Sequence, residues 1–320
     1  MMNLPLSRRQ VLVGAGACLG PGALIAAAAG DLPQAPVAEP FRYSLNLATL
    51  MGYKLPLAKE IEIAAEAGFR SFEPWLRNIQ QYVDEGRSLK ELRRRIDDLG
   101  LTVENAIGFA TWLVDDPAQR QKGLEQLRRE MDMIAELGGH RIAAAPAGAY
   151  DKPPMDLRVV AGRYRAVLEL GRQRGVVPQL EIWGGSKTLH SISEAAFVAI
   201  EAAHPDACIL LDLFHVYKGG SDFGSLRMLN GRALHVFHIN DYPAQPPREK
   251  VTDADRVFPG DGVAPMAAVL RELEAIGFRG ALSLELFNRQ YWKQDPLAIA
   301  KTGLEKVRSA VRNALGPGRG

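Results

Sequence analysis

Cys208-Ile209-Leu210-Leu211-Asp212-Leu213-Phe214-His215 is a short apolar run that ends in an aspartate, with a histidine three residues beyond. A run of this length reads as a buried strand. The same signature recurs along the chain, in Tyr43 to Ala48, Arg70 to Trp75, Leu101 to Ile107, Arg141 to Pro146, Pro178 to Trp183, Leu234 to Asn240 and Ala281 to Phe287. With Cys208 to Leu213 that makes eight strands. The stretches between them are amphipathic: Leu124, Leu127, Met131, Ile134 and Leu137 recur at helical spacing and put one stripe against a core. Several helices stop at a glycine just before the next strand, as at Gly68, Gly100, Gly138, Gly175 and Gly277. Eight strand and helix pairs between residues 41 and 315, without a linker among them, predict a single α/β domain, a (β/α)8 TIM barrel.

The ends of four consecutive strands carry chemistry. Glu181 closes Gln179-Leu180-Glu181-Ile182-Trp183, Asp212 closes the sixth strand, His238 lies in the seventh and Glu285 closes Ser283-Leu284-Glu285-Leu286-Phe287. Neighbouring strands lie about 4.8 Å apart, so ligands at one level on four strands can converge on one ion. Three carboxylates buried together without a cation repel one another, which predicts one divalent metal ion held by Glu181, Asp212, His238 and Glu285. The oxygen-rich shell suits Mn2+ first, with Mg2+, Co2+ and Zn2+ as alternatives. On a barrel of this kind the long connection from Tyr242 to Gly262 falls on the catalytic face as a lid.

Composition is that of an ordinary globular protein, with 47% hydrophobic and 24% charged residues. The net charge of +2 supplies no field that would draw the protein onto nucleic acid or an anionic membrane, so a small neutral ligand is expected as partner. Self-association into a homo-oligomer stays open. The N-terminus differs from the rest. Ser7-Arg8-Arg9-Gln10-Val11-Leu12 precedes an apolar and small-residue run from Val13 to Ile25, and Ala27-Ala28-Ala29 offers a cleavage pattern. Residues 1–30 therefore read as a twin-arginine signal peptide for export to the periplasm, 31–40 as a flexible linker and 316–320 as a disordered tail. The apolar run is too short and too rich in glycine for a stable membrane span, which needs about 20 residues. Cys18 lies in the signal, which leaves Cys208 without an intrachain disulfide partner.

Leu211-Asp212-Leu213-Phe214-His215 with Gly219-Gly220, then His238-Ile239-Asn240-Asp241, then Asp255-Arg256-Val257-Phe258-Pro259-Gly260-Asp261-Gly262 together resemble the sugar phosphate isomerase and epimerase superfamily with the xylose-isomerase-like barrel. That superfamily also contains apurinic-site endonucleases of family 2 type. The resemblance implies that Glu181, Asp212, His238 and Glu285 are the metal ligands, that His215 binds substrate and that Arg256 grips a substrate oxygen, with Arg248 as its rival. On the chemistry of the set, an enzyme is expected in which Glu181 and Glu285 flank the substrate as a catalytic acid/base pair, their pKa values separated by metal ligation.

Other residues gather around this set. Trp75, Trp112, Trp183 and Phe287 sit at or beyond strand ends, where aromatic faces can pack on a sugar ring. Glu73 and Glu104 can face the pocket, whereas His140, His190, His204 and His235 read as structural. The expected reaction is isomerisation or epimerisation of a non-phosphorylated ketose or related hydroxyketone through an enediolate. Elimination from a 3-keto-glycoside or cyclitol by a lyase or dehydratase is the alternative. An endonuclease would need further histidines where Glu73 and Asn105 stand, and Arg256-Val257-Phe258 lacks an Asp-x-His pair. A non-catalytic sugar binder would be expected to lose a metal ligand, and all four are present.

Overall fold

A computed structural model describes residues 39–316. The stretch expected as a signal peptide, nearly all of the expected linker and residues 317–320 of the expected tail lie outside the described residues. Among the described residues no helix is long and apolar enough to cross a membrane.

All eight expected strands form, and all are parallel: β1 (Arg42–Asn46), β2 (Ser71–Glu73), β3 (Thr102–Val103), β4 (Arg141–Ala144), β5 (Val177–Glu181), β6 (Ile209–Asp212), β7 (Leu234–Ile239) and β8 (Ala281–Leu284). They pair in the order β3-β2-β1-β8-β7-β6-β5-β4. The seam between β3 and β4 is bridged by the Ala143 N–H donating to the Ala106 carbonyl at 2.8 Å. The helices between them are α1 (Leu57–Ala67), α2 (Leu76–Asp84), α3 (Leu89–Asp98), α4 (Pro117–Glu136), α5 (Leu157–Arg174), α6 (Ile192–Glu201), α7 (Leu213–Lys218), α8 (Met266–Ala275) and α9 (Pro296–Leu315). This is the (β/α)8 barrel expected from the sequence.

Local chemistry sets the boundaries. Asp116, Asp156 and Asp295 each accept a backbone N–H at the start of α4, α5 and α9, satisfying donors that a first helical turn leaves free. Gly68 and Gly175 end α1 and α5 with φ of 96° and 69°, a left-handed conformation that costs glycine nothing.

The regular strands stop earlier than the sequence suggests. Leu101 to Ile107 was expected as strand, yet only Thr102–Val103 is regular. Beyond Val103 the pairing continues only as isolated backbone bonds, among them the Glu104 N–H donating to the Phe72 carbonyl and the Ile107 N–H to the Pro74 carbonyl, both at 3.0 Å, while the side chains of Glu104 and Asn105 find partners on other strands. Arg42 Nη2 donates to Glu104 at 2.6 Å, and Asn105 Nδ2 donates to Glu73 at 2.6 Å.

Candidate metal and substrate site

The ladder register shows how four strands bring their side chains together. Asp212 pairs with His238, so those two share a level. His238 pairs with Ser283, which puts Glu285 two residues further along, and Glu181 pairs with Leu210, two residues short of Asp212. The four residues are therefore staggered rather than level in register. Strands of a closed barrel tilt against its axis, so a common height drifts along the ladder from strand to strand. An offset of two residues keeps each side chain on the same face.

Asp212, His238 and Glu285 offer ligand atoms that all lie within 4.8 Å of one another, each from a buried residue. Glu181 is outside that tight group but lines the same cavity of ≈ 480 Å³, as do Glu285, His215, Arg256, Trp75, Trp183 and Phe287. The lid segment roofs the cavity through residues 249–253 and Arg256.

The orientation of His238 is fixed from behind. Its Nε2 lies 3.1 Å from a carboxylate oxygen of Glu73, which leaves Nδ1 turned towards Glu285 at 3.4 Å and Asp212 at 3.7 Å without a hydrogen-bond partner. A carboxylate behind an imidazole whose second nitrogen is free is the usual support for a metal-binding histidine. Glu181 Oε2 is likewise buried and unpartnered. These two orphaned atoms, set among carboxylates, fit a divalent cation.

The structure also supplies a cation of its own, which the charge argument from sequence omitted. Arg256 is buried, and its Nη1 donates to both Asp212 Oδ2 and Glu285 Oε2 at 2.7 Å. Its Nη2 pairs with Asp253, and the guanidinium packs over Phe214 and Phe287 at 4.6 and 5.0 Å. Part of the carboxylate repulsion is thereby relieved without a metal. Five carboxylates, Glu73, Glu181, Asp212, Asp253 and Glu285, still share the neighbourhood of Arg256.

The titrations follow. Burial pushes the Glu181 carboxyl up to about 8, opposed by His238 and reinforced by Glu285 and Asp212. Burial acts in the same direction on Asp212, but Arg256, His215 and His238 overcome it and hold this carboxyl well below the usual range. For His238, the pull of Glu73 and Glu285 outweighs burial and raises its pKa well above that of a free imidazole.

The remaining expectations divide. Arg256, not Arg248, enters the site: Arg248 is exposed and does not line the cavity. His215 lines the cavity with Nε2 3.3 Å from Arg256 Nη2, and its backbone N–H donates to Asp212. Trp75, Trp183 and Phe287 are in the wall, with Phe109 and Tyr150 completing an aromatic rim.

Three residues are placed differently from expectation. Glu73 is fully buried behind His238 rather than facing the cavity, because Asn105 and His238 engage its carboxylate. Glu104 pairs with Arg42 and Arg141, the residues that open β1 and β4, at the opposite end of the strands from the metal-type cluster. Trp112 is buried against Tyr164, with its indole N–H donating to the Ala145 carbonyl.

Two asparagines were missed. Asn46 donates to Glu285 Oε1 and accepts from the Trp75 indole, both at 3.0 Å, while Asn240 Nδ2 donates to Asp212 at 3.1 Å. Both stand at strand ends, so the rule that found the charged residues would have found them had it been extended to amides.

The chain belongs to the family described as Xylose isomerase-like TIM barrel, which matches residues 61–310. An inosose isomerase of Bacillus velezensis is 31% identical over 144 residues, 45% of this chain and 51% of that protein. A 3-dehydroshikimate dehydratase of Pseudomonas putida is 26% identical over 254 residues, which is 78% of this chain and 39% of that enzyme. The chain thus spans about half or less of the length of these curated relatives. Among solved structures, the IolI protein with a bound zinc atom superposes with a TM-score of 0.78 at 22% identity, covering 86% of this chain and 99% of that one.

Proposed function

We propose that this protein is a divalent-metal-dependent isomerase or epimerase of a non-phosphorylated ketose or related hydroxyketone. The observation that carries the reading is the Asp212, His238 and Glu285 cluster, with the free Nδ1 of His238 inside it and the unpartnered carboxylate of Glu181 in the same cavity. Asp212, His238 and Glu285, with Glu181 as fourth ligand, would hold the ion. When bound, a divalent ion polarises the oxygens of a hydroxyketone and acidifies the C–H between them. Manganese is the first candidate on the donor set.

The protein's own groups then move the proton. Glu181, whose Oε2 has no other partner, takes it from carbon and leaves the substrate as an enediolate. Glu285, carrying a proton of its own, would donate it from the other side of the cavity, at the same carbon for epimerisation or its neighbour for isomerisation, and Glu181 would then release the proton it took to solvent. Arg256 and His215 hold the substrate oxygens, and the Trp75, Trp183 and Phe287 wall excludes water from the carbanionic centre.

A second reading is favoured by the extent of the dehydratase match, which spans most of the barrel. If a substituent β to the acidic carbon departs from the same enediolate, the outcome is elimination from a 3-keto-glycoside or cyclitol. Arg8-Arg9 before the apolar run supports action in the periplasm.

Solvent-deuterium exchange into a panel of ketohexoses, cyclitols and 3-keto-glycosides, with metal content measured in parallel, tests the proposal. Glu181→Gln and Glu285→Gln are expected to slow exchange by about 100-fold or more while metal is partly retained. Wild-type exchange in variants that keep their metal would remove both glutamates from the mechanism. Unchanged metal content in Asp212→Ala and His238→Ala would remove the metal site.

A further inference from the structure

Beside the main cavity, between the start of α2 and the middle of α4, lies a second hollow of ≈ 300 Å³. Phe109 borders both, and it is one of the few large apolar side chains left exposed, at 38%. Its ring is 5.1 Å from Trp75 and 5.9 Å from Trp183, so the aromatic wall of the main cavity continues into this groove without a break.

The groove has the make-up of a carbohydrate site. Its apolar floor, Leu76 and Met133, suits the C–H face of a pyranose, and Gln80, Gln126 and Arg129 supply amide and guanidinium groups that bond vicinal hydroxyls. At its side stands Glu130, 7% exposed, with Oε1 accepting from Gln126 at 2.8 Å and Oε2 without any hydrogen-bond partner. A buried carboxylate oxygen left unpaired is costly, and a hydroxyl donor would satisfy it. Gly108 makes room for this carboxylate: a Cβ there would come within 2.9 Å of Oε2.

We propose that the groove is a second sugar-ring subsite, so that the substrate is a glycoside whose ketosugar ring enters the main cavity while its second ring lies past Phe109. This rests on the sugar-isomerase or lyase reading of the main cavity and narrows it from free monosaccharides to linked ones. The partner ring is neutral and hydroxylated.

The test is saturation-transfer NMR with competitive titration, on the full-length metal-loaded protein, using glucose, fructose and the disaccharides trehalose, maltose, cellobiose and lactose. At least one disaccharide should bind 10-fold or more tightly than its component monosaccharide. Gln80→Trp, at an exposed helical position, fills the groove without touching the core, and Glu130→Gln keeps the side-chain shape while removing the acceptor. Both should abolish the disaccharide gain while monosaccharide affinity stays within about twofold. Monosaccharide binding with no disaccharide gain, or a gain that survives Gln80→Trp, overturns the subsite alone. If no sugar of either kind binds, the sugar reading of the main cavity falls as well.

Discussion

Glu73 and His238 face each other 3.1 Å apart with neither side chain exposed to solvent. The contact joins β2 to β7 across the barrel interior and settles which imidazole nitrogen is left for the cluster of Asp212 and Glu285. Glu73→Gln keeps the shape but can present its amide instead of an acceptor to Nε2. Metal affinity is expected to drop by about 10- to 100-fold, read by titration of the metal-free protein with Mn2+ or Zn2+. An unchanged affinity would mean that His238 is oriented by something else.

Arg256 is the buried counter-charge of both Asp212 and Glu285. Arg256→Met preserves bulk and removes the charge, leaving two buried carboxylates facing each other. In metal-free protein the variant should lose about 3–5 kcal/mol of stability. A divalent ion should restore more stability to the variant than it adds to the wild type, visible as a larger rise in Tm. Equal rises would show that Arg256 and the ion act on different carboxylates.

Asp241 anchors the distal end of the lid. Its two carboxylate oxygens accept the backbone N–H groups of Tyr242, Gly260, Gly262 and Ala264. Asp241→Ala strands these donors, and the segment 258–264 is expected to exchange its amide hydrogens faster by 10-fold or more. A global loss of protection, with no excess in that segment, would show that Asp241 supports the whole barrel instead.

Glu60 provides a pH dependence remote from the site. Burial raises its carboxyl from 4.5 to about 7, against a hydrogen bond from Asn78 and the charge of Arg77. The folded state therefore holds this proton more tightly than the unfolded chain, and stability falls as pH rises from about 4.5 through about 7. Glu60→Gln should be more stable than wild type at pH 8 by about 1–3 kcal/mol, with the difference vanishing near pH 4. Parallel denaturation curves at the two pH values decide it.

Export can be checked separately. Arg8→Lys combined with Arg9→Lys keeps the charge ahead of the apolar run but alters the paired arginines. The double variant should stay in the cytoplasm with its N-terminus intact; a processed protein in the periplasm would rule out the twin-arginine route.

Much of this was legible in the order of residues. The apolar runs and glycine stops specified eight strands because strand burial and helix termination are local demands, met by residues within a few positions of one another. Asp212 and His238 were legible for the same reason, each being the polar residue at the end of an apolar run. Glu73 was not, since alternation along a strand leaves two directions open and only the contact with His238 chooses between them. Arg256 was seen as a substrate ligand from its motif, but its bonds to Asp212 and Glu285 span 44 and 29 residues.

The sequence by itself determined the barrel, the order of its eight strands and the residue types gathered near their ends, because hydrophobic periodicity and capping are read one element at a time. Only the tertiary structure decided the two-residue stagger of Glu181, Asp212 and Glu285, the burial of Glu73 behind the histidine and the placing of Arg256 among the acids. Those follow from strand tilt and from electrostatic balance between distant segments, and both exist only once the sheet has closed.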